Sequence, residues 1–301
     1  MVSGPSPISF SAFYADLSSH LSLSGLFNFC SMTPPTVLIA LAIIATFPFH
    51  LSFVLTDNIS WIDKAWGLIP PSALLVLLAK DLLCGQFFDS QYLLFMLALV
   101  TIWGLRITFN FGRKGGLAYE AEDYRWTHIK KQIGNRVAIH LMSFFYNQLF
   151  QGLFLFTLVL PITVTPHRQL TSYEFIVAGL ILVSIVFESV ADNQQWAFQQ
   201  KKLKKDEKDP DVKLGFVTSG LFALCRHPNY FFELLNWFLF YLFSVPSAGL
   251  LNWTISPFLV LVAVFNGSTN LTEEISAKRY PKFAERMKTS NAIIPNIFKL
   301  F

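Results

Sequence analysis

The sequence predicts an all-α fold, a polytopic membrane helix bundle with about seven transmembrane helices. Three observations lead there. Of the 301 residues, 53% are hydrophobic and only 14% are charged, whereas soluble domains run near ~25% charged. Thirty-two residues are Phe. Apolar stretches recur along the chain at or near the ~20 residues that a helix needs to cross the hydrocarbon, and they lack the period-two alternation of strands.

Seven such stretches are expected, at 37–55, 68–83, 92–109, 141–163, 175–190, 231–245 and 253–265. The Pro70-Pro71 pair suits the first turn of the second. Residues 1–35 read as an N-terminal extension, poorly ordered or interfacial, with a short helix around 10–29. Residues 36–301 read as one transmembrane domain. The first 31 residues hold nine Ser and no Lys or Arg, so they lack the basic start of a secretory signal. Cys30, Cys84 and Cys225 are far apart and form no CxxC. Neither a disulfide framework nor a metal site is expected from them.

Basic residues set the expected orientation. The segments after the third, fifth and seventh stretches are rich in Lys and Arg, from Arg113 to Arg136, from Lys201 to Arg226 and from Lys278 to Lys299. The opposite-side loops hold Arg168. The positive-inside rule then puts the C-terminus in the cytosol and the N-terminus in the lumen. The run 201–213, with ten charged residues in thirteen, reads as a solvated loop. Asn252-Trp-Thr254 is a glycosylation sequon that lies too close to the bilayer to be expected to carry a sugar.

Polar groups inside apolar stretches carry the chemistry. Arg226 and His227 precede Pro228, where a helix is expected to start. Asn229, Glu233 and Trp237 follow at four-residue spacing, on one face, with Asn236 beside them. Ionisable and amide groups are costly in a membrane helix and usually serve a site. Cations at a helix start favour an anion such as a phosphate. Glu188 and Asp192 share a face at the end of the fifth stretch, and Asn193 adds an amide. Trp103-Gly-Leu-Arg106 leads into Phe111-Gly-Arg-Lys-Gly-Gly116, which is a basic turn rather than a dinucleotide fingerprint. Residues 120–125 form a mixed-charge cluster suited to a structured loop. Asp63 and Trp66 lie at helical spacing at the membrane edge.

Gly220-Leu-Phe222, Asn229-Tyr230-Phe231, Glu233 and Trp237 resemble the "GLF…ANF-x-GE-x-x-EW" segment of steroid 5α-reductases. Arg226-His-Pro-Asn-Tyr-Phe-x-Glu233 is similar to an uncharacterised membrane branch of that superfamily related to sterol reductases. Lys278-Arg-Tyr-Pro-Lys282 and Ile294-Pro295 look like its C-terminal signature. The resemblance implies a bundle in the endoplasmic reticulum that binds NADPH from the cytosol. It implies cofactor contacts at Asp192, Asn193, Arg226, His227, Asn229, Tyr230, Glu233 and Tyr280. Phe232 stands where the family has Gly. The expected activity is reduction of a carbon–carbon double bond in a lipid-like steroid, sterol or enoyl substrate. Asp63, Arg106 and Tyr146 are the candidates for polarising the substrate oxygen. Membrane lipids are expected neighbours, and no nucleic acid or metal is expected. The alternatives are an isoprenylcysteine-type methyltransferase using S-adenosylmethionine, which shares the Arg-His-Pro-x-Tyr motif, and a non-catalytic lipid-binding membrane protein.

Overall fold

The computed structural model describes residues 6–20, 28–85, 87–164, 168–205 and 208–296. Among them every regular element is helical and no strand occurs. Residues 21–27 of the expected N-terminal helix, Asp206 and Glu207 of the charge run and Lys299 of the tail lie outside the described residues. Contacts divide the chain into two units, residues 1–178 with 240–257, and residues 179–239 with 258–301.

Unit 1 begins with α1 (Phe10–His20), which has no buried residue. It is nevertheless tied down. Asp16 Oδ2 accepts from Thr33 N at 2.9 Å, Thr33 Oγ1 at 2.8 Å and Thr36 Oγ1 at 2.5 Å. The Phe13 ring stacks on Trp253 at 5.1 Å. Next come α2 (Pro34–Thr56), the short α3 (Trp61–Ala65), α4 (Ile69–Cys84) and α5 (Ser90–Arg113). Pro70 and Pro71 sit in the first turn of α4, as the sequence predicts. α4 and α5 pack together. At the approach of α5 to the turn before α4, a Cβ on Gly104 would lie 2.1 Å from Gly67 O. Only the absence of a side chain permits this approach, the device by which small residues bring membrane helices together. The Gly of Trp103-Gly104-Leu-Arg106 is thus a packing residue. The stretch 111–116 closes α5 as a turn, with Gly116 N donating to Phe111 O and Gly115 at φ +83°.

α6 (Tyr124–Ile133), α7 (Arg136–Met142), a π-helix (Ser143–Phe150), α8 (Gln151–Thr157) and α9 (Leu160–Thr163) follow. α10 (Ser172–Leu203) runs from unit 1 into unit 2. Then come α11 (Pro210–Leu214), α12 (Pro228–Leu242), α13 (Val245–Ala248), α14 (Ser256–Arg279) and α15 (Pro281–Thr289), with short 3₁₀ turns at Gly220–Ala223 and Trp253–Ile255.

Among the described residues four helices are long and apolar enough to cross a membrane: Pro34–Thr56, Ser90–Arg113, Ser172–Leu203 and Trp253–Arg279. The other three expected stretches fall short for identifiable reasons. α4 has 16 residues and α12 has 15, below the ~20 of a straight span. The stretch 141–163 is divided between α7, the π-helix, α8 and α9. The fifth expected stretch is longer than predicted. α10 continues for 32 residues, about 48 Å at 1.5 Å per residue, so Glu188 and Asp192 lie inside a helix rather than at its end.

The structure corrects one expectation outright. Cys30 and Cys84 form a disulfide across 54 residues of sequence, and Cys225 is free and buried. The rule that distant, odd-numbered cysteines stay unpaired failed because folding α4 back along α2 brings the two Cα atoms to 5.1 Å. Asn252 is also engaged. Its Nδ2 donates to Gly249 O at 2.8 Å and Ser244 Oγ at 3.0 Å, which leaves the sequon's acceptor nitrogen tied into the turn.

Denatured protein is expected to take up one maleimide without reductant and three after reduction, read by intact mass. Cys84→Ser is expected to lower unfolding stability by about 2–4 kcal/mol. Gly104→Ala is expected to cost about 1–3 kcal/mol, because the clash falls on backbone rather than on a side chain that can turn away.

Candidate functional site

In unit 2 the site grows from the start of α12. The backbone N–H groups of Arg226 and His227 donate to Asn291 O and Ala292 O, at 3.0 and 2.9 Å, and Asn296 N donates to Leu224 O. The C-terminal segment therefore straps the turn that launches the helix. Pro228 opens α12, as predicted.

Glu273 of α14 anchors the same turn. Arg226 Nε donates to Glu273 Oε1 at 2.6 Å and Nη2 to Oε2 at 2.8 Å, while His227 Nε2 lies 2.9 Å from Oε1. The Arg226 and Glu273 side chains are 7% and 4% exposed. This fork is the strong form of ion pair, with two parallel charge-assisted hydrogen bonds. Sequence reasoning placed Arg226 and His227 at an anion site and did not find Glu273. Its only local signal was an acid near the end of an apolar stretch. The His227 ring stacks on Tyr230 at 5.2 Å, and Tyr230 meets Phe265 edge-on at 4.7 Å.

The polar face of α12 is buried, as its spacing predicts. Glu233 is 2% exposed and Asn236 3%. Trp237 Nε1 donates to Glu233 Oε1 at 3.0 Å, and Asn236 Nδ2 donates to Glu188 Oε2 at 2.8 Å. Asn236 Oδ1 is buried without a partner. Asp192 is buried on α10, and Asn193 is exposed. Asn229 is half-buried. Phe232, the departure from the reductase pattern, stacks on Phe187 at 5.4 Å and so joins α12 to α10. Ser184 Oγ adds a hydrogen bond to Phe232 O.

Tyr280 packs on the turn that ends α11. Lys202 Nζ donates to its hydroxyl at 2.7 Å and to Gly215 O at 3.0 Å. A Cβ on Gly215 would lie 2.3 Å from the Tyr280 ring, and Gly215 sits at φ +88°. Gly220, at φ +61°, leaves room for Gln194, whose Oε1 accepts from Leu221 N at 2.9 Å. The glycines of the motif segment are thus explained by left-handed turns under close neighbours. Burial alone would raise the Asp211 carboxyl. Hydrogen bonds from the side chains and backbones of Thr218 and Ser219 outweigh it and hold the group below the ordinary Asp range. Burial pushes the Cys225 thiol up to about 11, so it stays protonated and unreactive.

The candidate polarising residues belong to unit 1. Trp126 Nε1 donates to Asp63 Oδ2 at 2.7 Å. Enclosure pushes the Asp63 carboxyl above the ordinary Asp range, against the lowering pull of hydrogen bonds from Trp126 and Ser60 and the charge of Arg125. The predicted structured loop surrounds it. Asn58 Nδ2 donates to Ala121 O, Ile59 N to Glu122 Oε1, and Asp123 N to Ser60 Oγ. Arg106 is half-buried on α5. Tyr146 is 48% exposed on the π-helix, with its ring stacked on Phe150. Among the described residues no His, Cys, Asp and Glu cluster could hold a metal ion.

Residues 49–290, which include every candidate above, match the family model described as "Protein of unknown function (DUF1295)". Over 245 residues the chain is 37% identical to "Uncharacterized protein C594.04c" of Schizosaccharomyces pombe, an alignment covering 76% of this chain and 70% of that protein. No solved structure matches the chain.

Removing one partner of the buried pair leaves a desolvated charge behind. Glu273→Gln is therefore expected to lower unfolding stability by about 3–5 kcal/mol, measured by denaturant unfolding in detergent. Asp63 carries the opposite sign. A carboxyl whose folded value is raised penalises folding fully above that value, and the penalty vanishes below the ordinary Asp value of 3.8. Asp63→Asn should raise the thermal midpoint at pH 8, with the gain shrinking as pH falls toward 4.

Proposed function

We propose, for a chain that belongs to the DUF1295 family, that it is a membrane NADPH-dependent reductase of a carbon–carbon double bond in a lipid-like steroid, sterol or enoyl substrate. The buried polar face of α12 supports this reading most. Glu233, Asn236 and Trp237 lie in an otherwise apolar helix. Groups of this kind are expensive among apolar helices and are kept for chemistry. The motif resemblance to steroid 5α-reductases supplies the cofactor.

The residues present fit part of that cofactor. Asn236 Oδ1 is a buried acceptor without a partner, which suits an amide N–H such as that of a nicotinamide. The phosphate end fits less simply, because Glu273 neutralises Arg226. Anion attraction there falls to the N-terminal dipole of α12. When bound, NADPH supplies the hydride. The protein's own task is to orient, to exclude water and to stabilise charge on the substrate oxygen. Asp63 suits that last task, since its enclosure favours the protonated, donating form. Arg106 and Tyr146 are the other nominees.

A second reading is favoured by the same ion pair. With Arg226 paired to Glu273, unit 2 still buries three further acids, Glu188, Asp192 and Glu233. That suits a sulfonium cation, hence a methyltransferase using S-adenosylmethionine.

The proposal also includes an orientation. The disulfide requires Cys30 and Cys84 to share one side of the membrane. On this reading α2 crosses between them, so α4 crosses back despite its 16 residues. Disulfides persist in oxidising compartments, which supports a lumenal N-terminus. The positive-inside rule supports the same assignment, provided that 141–163 and α12 also cross. The proposal places the protein in the endoplasmic reticulum, as the motif resemblance implies.

Thermal-shift measurements on the purified protein test the choice. A ligand at about 100 times its dissociation constant adds roughly 2.7 kcal/mol. NADPH should raise the midpoint, S-adenosylmethionine should not, and Asn236→Leu should abolish the NADPH shift. A shift with S-adenosylmethionine alone would favour the methyltransferase, and a shift with neither the non-catalytic lipid binder. Deuterium from labelled NADPH should appear in the reduced lipid, and a product free of label would overturn the reductase reading.

A further inference from the structure

Unit 1 contains a second polar cluster that the reductase reading does not use. Ser143, Asn147 and Gln148 are 0% exposed, and Gln151 is 7% exposed. The hydroxyl of Ser143, both amide atoms of Asn147, both amide atoms of Gln148 and Oε1 of Gln151 are sealed from solvent without a partner. Buried polar atoms are normally satisfied, and a group of orphans calls for an explanation.

The local backbone explains how they come together. Residues 143–150 form a π-helix, whose turn is wider than that of an α-helix. At four to five residues per turn, Ser143, then Asn147 and Gln148, then Gln151 follow one stripe. The widened turn lets the adjacent residues 147 and 148 share that side. Exposure agrees, since Phe145 and Tyr146 are 58% and 48% exposed on the other side. Single π-turns inside helices recur at functional sites. α2 packs along this stretch. Its His50 and Phe47 rings meet Phe144 at 5.1 and 6.2 Å, and a Cβ on Gly152 would come within 3.6 Å of Ala42 O.

We propose that this stripe is a binding site for the uncharged hydroxyl or ketone end of a lipid. The class follows from the donors and acceptors. The hydroxyl and the two primary amides offer both kinds of group, so they can pair with a hydroxyl or a carbonyl. The stripe carries neither a cation nor an anion, so a charged head buried there would lack a counter-ion. The setting among apolar helices selects a ligand with an apolar body. The site stands whether or not unit 2 binds NADPH.

Photolabelling of the full-length protein in phosphatidylcholine nanodiscs tests it. The probes are a diazirine-bearing cholesterol and the corresponding 3-keto-4-ene sterol, mapped by peptide mass spectrometry. At least one should label the peptide spanning 137–157. Unlabelled parent sterol should compete at least tenfold better than cholesteryl sulfate. Asn147→Leu and Gln148→Met, near-isosteric changes, should each reduce specific labelling at least fivefold. If one variant does not fold, the other and the wild-type competition still decide. No competable label from either probe, equal competition by the sulfate, or unchanged labelling in a folded variant would overturn the proposal. The last result, with a raised thermal midpoint, would identify the stripe as satisfied by water alone.

Discussion

The fork between Arg226 and Glu273 organises unit 2. It fixes the turn before α12 to α14, and the carbonyls of the C-terminal segment complete the same turn. Two charges withdrawn from water cost more than their attraction alone returns, unless geometry is good and the remaining protons are bonded. Here Nη1 reaches Met287 O and Ser290 O, so the guanidinium leaves few donors unused. From this fixed origin the four-residue spacing along α12 carries Asn229, Glu233 and Trp237 down one face. The depth and direction of the polar face thus depend on a single buried pair.

That dependence bears on the chemistry. A guanidinium open to solvent would attract phosphate strongly, whereas one engaged by a carboxylate offers orientation more than charge. The reductase and methyltransferase readings diverge at this point, because one cofactor is anionic and the other carries a sulfonium. In both proposed readings the reactive group would be uncharged or cationic, a nicotinamide or a sulfonium. The resemblance in motif is the ground on which the first is proposed.

Local pattern made much of the fold readable in advance. The helical class, the start of α12 at Pro228, the prolines opening α4 and the burial of Glu233 follow from composition and from periods of three to four residues. What escaped was long-range. Glu273 lies 47 residues beyond Arg226, and Cys84 lies 54 beyond Cys30, and no periodicity links either pair. The π-helix was unreadable for a different reason. Ser143 to Phe150 looks like any apolar stretch with two amides, and only the wider turn puts Asn147 and Gln148 on one side. The break at 141–163 also came from tertiary context, which a hydropathy window does not sense, whereas the shortness of α4 and α12 was already visible in the 16 and 15 apolar residues of 68–83 and 231–245.

The link between Cys30 and Cys84 also bears on how the chain is assembled. Both sulfurs are available once α4 has left the ribosome, while most of the residues after Cys84 are still to be made. At ordinary elongation rates that remainder takes on the order of 10–40 s, a time within the range in which thiols can be oxidised. The first helical pair can therefore be covalently joined before any residue of unit 2 exists. Later helices would then be added to a closed hairpin rather than to a free amino-terminal arm.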